Sequence, residues 1–207
     1  VVTDSSVFDA HRAFLKTNNV NLTLDFMRIY YSHLINQVNS LFQNSFSNDP
    51  NLRINIKASD FLFITRQIDS PWSNPSLTGD NFVISYRGKR VIIDTLALDS
   101  FRNSMNAIRT INNYDHVIGF MNRDIWYSNS VSTAADYRSL PYGISYSTGI
   151  CTGYKYSLIE DYGGFSNIHF AAHHIARNLG AEYDSYTNTN CLAYSYFIMS
   201  PLLSLDT

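Results

Sequence analysis

The chain has 207 residues, a hydrophobic fraction of 45%, a charged fraction of 15% and a formal net charge of −2 at pH 7. That balance excludes an intrinsically disordered protein and gives no electrostatic reason to expect nucleic acid or an anionic membrane as partner. The longest apolar runs, such as Val117-Ile-Gly-Phe-Met121, are far too short to cross a bilayer, and the length fits one domain with a substantial core.

Taken in order, Val1-Val-Thr-Asp4 reads as a short strand. Leu24, Met27, Tyr30/Tyr31, Leu34, Val38 and Leu41 recur at steps of three and four, which predicts a long amphipathic helix. Asn48-Asp-Pro-Asn51 is a turn, and the alternation of Ile54, Ile56, Ala58, Phe61 and Phe63 predicts one or two strands between Arg53 and Thr65. The stretch from Ser70 to Asp80 is a loop rich in turn residues. Val91-Ile-Ile93 is a short strand, and Leu98, Phe101, Met105 and Ile108 mark a second helix. Val117 to Phe120 reads as a buried strand, Gly143 to Cys151 as an exposed edge strand and Tyr156 to Ile159 as a further strand. A third helix follows, capped by Ser166 or Asn167, with Ile168, Ala171/Ala172, Ile175 and Leu179 as its core stripe and Gly180 as its C-terminal stop. The order is that of a compact α/β protein.

Cys151 and Cys191 permit one disulfide, which suits an oxidising compartment, but two buried reduced thiols fit equally well. Asn21-Leu-Thr23 is a glycosylation sequon, meaningful only for a secreted chain. The chain does not start with Met, and residue 1 is expected to follow a processed segment.

The third helix carries the chemistry. It reads His169-Phe-Ala-Ala-His173-His174-Ile-Ala-Arg177-Asn-Leu-Gly180-Ala-Glu-Tyr183-Asp184. His169 and His173, four apart, have a spacing at which two imidazoles grip a metal, yet they also read as polar helix residues facing a cleft. Arg177 has no lone pair to donate, and Glu182 and Asp184 stand close in sequence as its natural counter-charges. Nothing competes with this stretch: there is no G-x-S-x-G elbow, no phosphate-binding glycine loop and no C-x-x-C pair.

This stretch resembles the zinc-binding signature of the metzincin metalloproteases, H-E-x-x-H-x-x-G-x-x-H-D. On that frame His173 holds the first ligand position, Gly180 the turn glycine and Asp184 the residue after the third ligand. His174 stands where the general-base Glu belongs, Arg177 replaces the second His and Tyr183 the third. Three further stretches resemble the reprolysin (adamalysin) branch: Gly149-Ile-Cys151 after the edge strand, Ser157-Leu-Ile-Glu-Asp161 ahead of the helix, and Phe197-Ile-Met199-Ser-Pro201 at the Met-turn. Cys191 lies eight residues before Met199, a spacing similar to that of secreted tick and venom members.

The resemblance implies a zincin-like α/β fold with a five-stranded mixed sheet, two long helices, the active-site-type helix and a small C-terminal subdomain. Residues 1–180 would form the upper part and 181–207 the lower part with the Met-turn. It also implies a secreted pseudoprotease. Catalytic zinc takes three protein ligands and a water, and only His173 is retained. A phenol such as Tyr183 ligates only after a costly loss of its proton. No metal and no cofactor are expected. His173, His174, Arg177, Tyr183, Asp184 and Met199 are vestigial positions, and the partner is a protein or peptide held in the cleft. Cys151 and Cys191 are expected to pair, joining the edge-strand region to the segment before the Met-turn. Two alternatives stay open: an unorthodox metal-dependent hydrolase using His169, His173 and His174, and a structural secreted protein without a cleft ligand.

Overall fold

The computed structural model describes residues 1–45, 51–74, 83–86, 89–128, 137–138, 142–184, 192 and 197–201. Helix α1 (Ser5–Phe14) follows directly on strand β1 (Val2–Thr3). Asp4 starts it: its Oδ1 accepts from the Val7 amide at 3.1 Å, satisfying one of the first-turn donors. Sequence periodicity misses α1 because its buried face is short and mixed, namely Ser5, Val7, Phe8 and His11. Helix α2 (Val20–Ser45) is the long predicted helix, and it buries Met27, Tyr31, Leu34 and Val38 completely.

The chain then returns as strand β2 (Leu62–Phe63), shorter than the alternation between Arg53 and Thr65 predicts. Residues 52–61 instead run without regular structure along α2, where the Asn39 side chain accepts from the Ile56 amide at 2.8 Å. Strands β3 (Val83–Tyr86) and β4 (Lys89–Ile93) form an antiparallel hairpin ladder. Helix α3 (Asp94–Asn106), β5 (Val117–Met121) and β6 (Ile125–Ser128) follow. Then come β7 (Tyr137–Arg138), β8 (Gly143–Ser145), β9 (Tyr156–Glu160) and α4 (Ile168–Leu179).

The main sheet has five strands in the order β2-β1-β5-β9-β8. Its first four are parallel, and β8 runs antiparallel to β9 at the edge, with Ile144 opposite Leu158. A second, four-stranded sheet, β3-β4-β6-β7, takes up the Val91 strand. The chain is thus a mixed α/β protein whose five-stranded sheet is itself mixed.

Both faces of the main sheet are covered, so β5 and β9 are apolar runs buried throughout. Their residues alternate between two cores. Ile118, Phe120 and Ile159 face α1, α2 and α4, while Val117, Met121, Tyr156 and Leu158 face α3 and Trp72. Ile198 and Met199, from the last described segment, pack against the first of these cores.

Helix α4 ends as its glycine foretells. Gly180 adopts φ 103°, a left-handed conformation that costs glycine little. The Ala181 amide then reaches back to the Ala176 carbonyl at 2.9 Å and the Gly180 amide to Arg177 at 3.0 Å. The N-terminal expectation is met only in position. Asn167 precedes the first helical residue but makes no side-chain capping bond.

Candidate functional site

The left-handed turn at Gly180 sends residues 181–184 back along α4, and the segment 197–201 closes on the same place. The Asp184 amide donates to the Met199 carbonyl at 2.9 Å, and His173 Nδ1 lies 2.5 Å from the Ile198 carbonyl. A carbonyl can only accept, so His173 carries its proton on Nδ1 and keeps the Nε2 lone pair. Burial pushes its pKa below the usual histidine range, against the pull of that hydrogen bond.

Positions 173, 177 and 183 converge as a stack. The Tyr183 ring lies over the His173 ring with centroids 5.5 Å apart and planes at 29°. The Arg177 guanidinium sits 4.2 Å from the Tyr183 centroid, a cation–π contact. Its Nη1 donates to the Ala181 carbonyl at 2.5 Å. This corrects one expectation. Among the described residues neither Glu182 nor Asp184 pairs with Arg177. The turn at Gly180 brings a carbonyl and an aromatic face to the guanidinium in their place. Asp184 instead keeps Oδ2 buried without a hydrogen bond, and burial raises its pKa.

His174 faces elsewhere. It is 6% exposed, and its Nδ1 lies 3.2 Å from the Ser145 hydroxyl on edge strand β8. A further bond reaches the Gly143 backbone, yet burial and the neighbouring cationic groups push its pKa well below the usual range. A neutral imidazole fastened to β8 is a clamp between helix and strand. Gly143 makes the clamp possible, since a Cβ there would lie 2.8 Å from His174 Cδ2 and 2.8 Å from Ile159 Cδ1. Gly143→Ala should therefore cost about 2 kcal/mol by overpacking, read as a lower urea midpoint with an unchanged slope.

Zinc does not fit this geometry. His173 presents one lone pair, beside it stand a cation, Arg177, and the phenol ring of Tyr183, and catalytic zinc requires three protein ligands. Among the described residues no group of three or more His, Cys, Asp or Glu side chains comes together as a metal cage. His169 is exposed at the start of α4, and His174 is occupied by β8, so His169, His173 and His174 do not come together as one metal cage.

A second polar cluster behind the site has no counterpart in the motif reading. Asn178 is completely buried and donates to the Tyr146 and Tyr154 carbonyls at 3.0 and 2.9 Å. Its Oδ1 faces His116 Nδ1 at 3.0 Å, while His116 Nε2 meets the Ser157 hydroxyl at 2.9 Å. With both Asn178 N–H groups used, His116 must donate from Nδ1 and accept from Ser157. Burial pushes its pKa down to about 4, the Asn178 bond opposing. The available signal was a polar residue at a core-facing helical position, next to Ile175 and Leu179.

Cys151 is an exposed free thiol whose Sγ lies 3.6 Å from Asp115 Oδ1. The expected bridge is therefore not formed at Cys151 in this structure, and Cys191 lies outside the described residues. Cys151 sits in a left-handed turn, φ 60°, just past β8, and not in a longer strand. Asn21 is exposed in the first turn of α2, but the sequon's Thr23 is buried, with its hydroxyl donating to the Asn19 carbonyl at 3.0 Å. No helix among the described residues is long and apolar enough to cross a membrane.

No family model and no curated protein matches the chain. Among solved structures, the chain is similar in fold to a chain from one described as "Structure of a chaperone-substrate complex", with a TM-score of 0.52 and 12% identity. The superposition covers 99% of this chain and 28% of that one, so this chain spans well under half of that neighbour's length. At that identity the likeness speaks for the fold alone.

Proposed function

We propose that this chain is a metzincin-like domain whose zinc site has been dismantled and that it works outside the cell by holding a protein or peptide. The observation that carries the reading is the stack of Arg177, Tyr183 and His173. The frame brings together the three positions that would carry zinc ligands, beside the Met199 segment, and fills one with a cation that has no lone pair and another with a phenol that ligates only after a costly loss of its proton. The antiparallel edge strand β8 next to α4 and the mixed five-stranded sheet support the same frame.

Binding by strand addition follows from the edge. The Tyr142 carbonyl accepts from the Glu160 amide at 2.9 Å and the Tyr146 amide donates to Tyr156 at 3.4 Å. In an antiparallel ladder bonded residues alternate, so 142, 144 and 146 face β9, whereas Gly143 and Ser145 turn outward. An extended peptide can pair there through the outward Ser145 amide, as peptides do on other sheet edges, while the Gly143 backbone is already engaged by His174. The hydrolase alternative is less well supported, because His174 is a buried clamp on β8 and His169 lies apart at the exposed start of the helix.

Selection from a random-peptide display library tests the binding. The wild type should enrich peptides, none of which is cut. Ser145→Pro, which removes an outward amide without touching the ladder to β9, should abolish enrichment while thermal unfolding stays cooperative, and Ser145→Ala, which loses only the hydroxyl that holds His174, should keep it. Enrichment unaffected by Ser145→Pro would place binding away from β8.

A further inference from the structure

A cavity of about 770 Å³ lies away from the helix–turn site, between α1, α2 and the loop 161–165 that joins β9 to α4. None of the vestigial positions lines it. Its walls are apolar and partly open to solvent: Phe14 is 73% and Ile29 70% exposed, and the Phe165 ring stacks on Tyr30 at 4.5 Å and 15°. The loop is built to hold that shape. Gly163 and Gly164 take φ 86° and 70°, and Phe165 takes φ 60°, a conformation that costs a bulky residue energy.

The floor is polar and unfinished. Asp161 is 3% exposed, and its Oδ1 accepts from the Gly163 amide at 2.8 Å and the Tyr30 hydroxyl at 3.4 Å, while Oδ2 accepts from the Tyr31 hydroxyl. All three donors are neutral, and among the described residues no Lys, Arg or His forms an ion pair with this carboxylate. Buried carboxylates are normally paired with a cation. Beside it His11, only 8% exposed, makes ring contacts with Tyr30, Tyr31 and Phe26 but has no hydrogen bond at either nitrogen among the described residues. Burial lowers its pKa although Asp161 pulls the other way, and the residue lines the cavity.

We propose that this cavity binds a small organic ammonium ion carrying an aromatic or branched apolar body. The ammonium sits against Asp161 and His11, and the body lies between Ile29, Tyr30 and Phe165. The ammonium supplies the missing counter-charge and donates to His11, and the ring faces around it favour a cation. An anion is disfavoured by Asp161, since among the described residues no Lys or Arg lines the cavity. A bare metal ion is excluded by the single carboxylate. The volume falls within the range of small-molecule sites, roughly 300–1,000 Å³.

Titration calorimetry with three probes that share one body tests this: phenethylammonium, phenethyl alcohol and phenylpropionate. The ammonium should bind one per chain, about tenfold or more tighter than the alcohol, as expected of a charge contact away from solvent, with the carboxylate weaker still. Asp161→Asn should weaken the ammonium by a similar factor and leave the alcohol nearly unchanged. Because Asp161 also holds Tyr31, an exposed-wall variant keeps the test independent of folding: Ile29→Ala should weaken ammonium and alcohol alike. Equal binding of ammonium and carboxylate, no ammonium binding by the folded wild type, or an Ile29→Ala protein that binds unchanged would each overturn the assignment.

Discussion

Asn178→Ala is expected to cost about 4 kcal/mol, the sum of several buried polar groups left without partners at about 1–3 kcal/mol each. The side chain is fully buried and serves two carbonyls and one imidazole: Tyr146, Tyr154 and His116. Its backbone carbonyl also accepts from Gly149 and Ile150, so the last turn of α4 is fastened to the whole turn that follows β8. Gly149 is packed against this bond, since a Cβ there would lie 2.7 Å from Asn178 Nδ2 and leave a water no easy entrance. The loss corresponds to a fall in Tm of roughly 10 °C for a domain of this size. Asn178→Asp should fare no better, because it keeps the acceptor for His116 but loses both donors. A loss under about 1 kcal/mol for Asn178→Ala would mean that the carbonyls find other partners.

The second large effect concerns Glu160 at the end of β9. It is 3% exposed, and its Oε1 accepts from the Ile125 amide. Burial pushes its pKa up to about 8, the Ile125 bond opposing, so the folded protein holds it protonated near neutral pH. Between about pH 4.5 and 8 the folded state therefore binds a proton that the unfolded state has lost. Stability from this group is present at low pH and lost as pH rises through that window, by about 5 kcal/mol in all.

The buried histidines act with the opposite sign. His116 at about 4, with His173 and His174 also lowered, stays neutral when folded, so its contribution is complete above about 6.5 and is lost as pH falls toward 4. In the wild type the two limbs oppose each other between 4.5 and 6.5. Glu160→Gln mimics the neutral acid and should remove this limb, so the wild type should lose stability relative to the variant as pH rises from about 4.5 to 8, whereas the Val1 amine, lowered to about 6 by burial, adds stability between about 6 and 8 in both proteins. Urea unfolding of both proteins from about pH 4.5 to 9 reads this directly, and a stability difference between wild type and Glu160→Gln that does not change with pH would contradict the assignment.

How far the sequence leads differs from element to element. Helices α2, α3 and α4 and strands β5 and β9 are legible because each buries one regular stripe or a continuous apolar run. Gly180 is legible because a helix stop needs a left-handed residue. Helix α1 is not, since its buried face includes Ser5 and His11. Ile54, Ile56 and Ala58 alternate like a strand but are held by α2, with Gln43 Nε2 donating to the Ile54 carbonyl. The convergence of 173, 177 and 183 follows from helical spacing plus the turn. Arg177's partners do not, because backbone carbonyls and ring faces leave no charge pattern in a sequence. The Asp161 floor joins residues some 130 positions apart and is invisible to any local reading.

The proposed loss of a zinc site at His173, Arg177 and Tyr183 is tested most directly by zinc content per chain after dialysis against a weak chelator. The wild type should retain far less than one zinc per chain. The variant His174→Glu/Arg177→His/Tyr183→His, which puts imidazoles at the two proposed ligand positions and a carboxylate at the proposed base position, should retain close to one. One tightly held zinc in the wild type, released together with a chelator-sensitive proteolytic activity, would contradict the account.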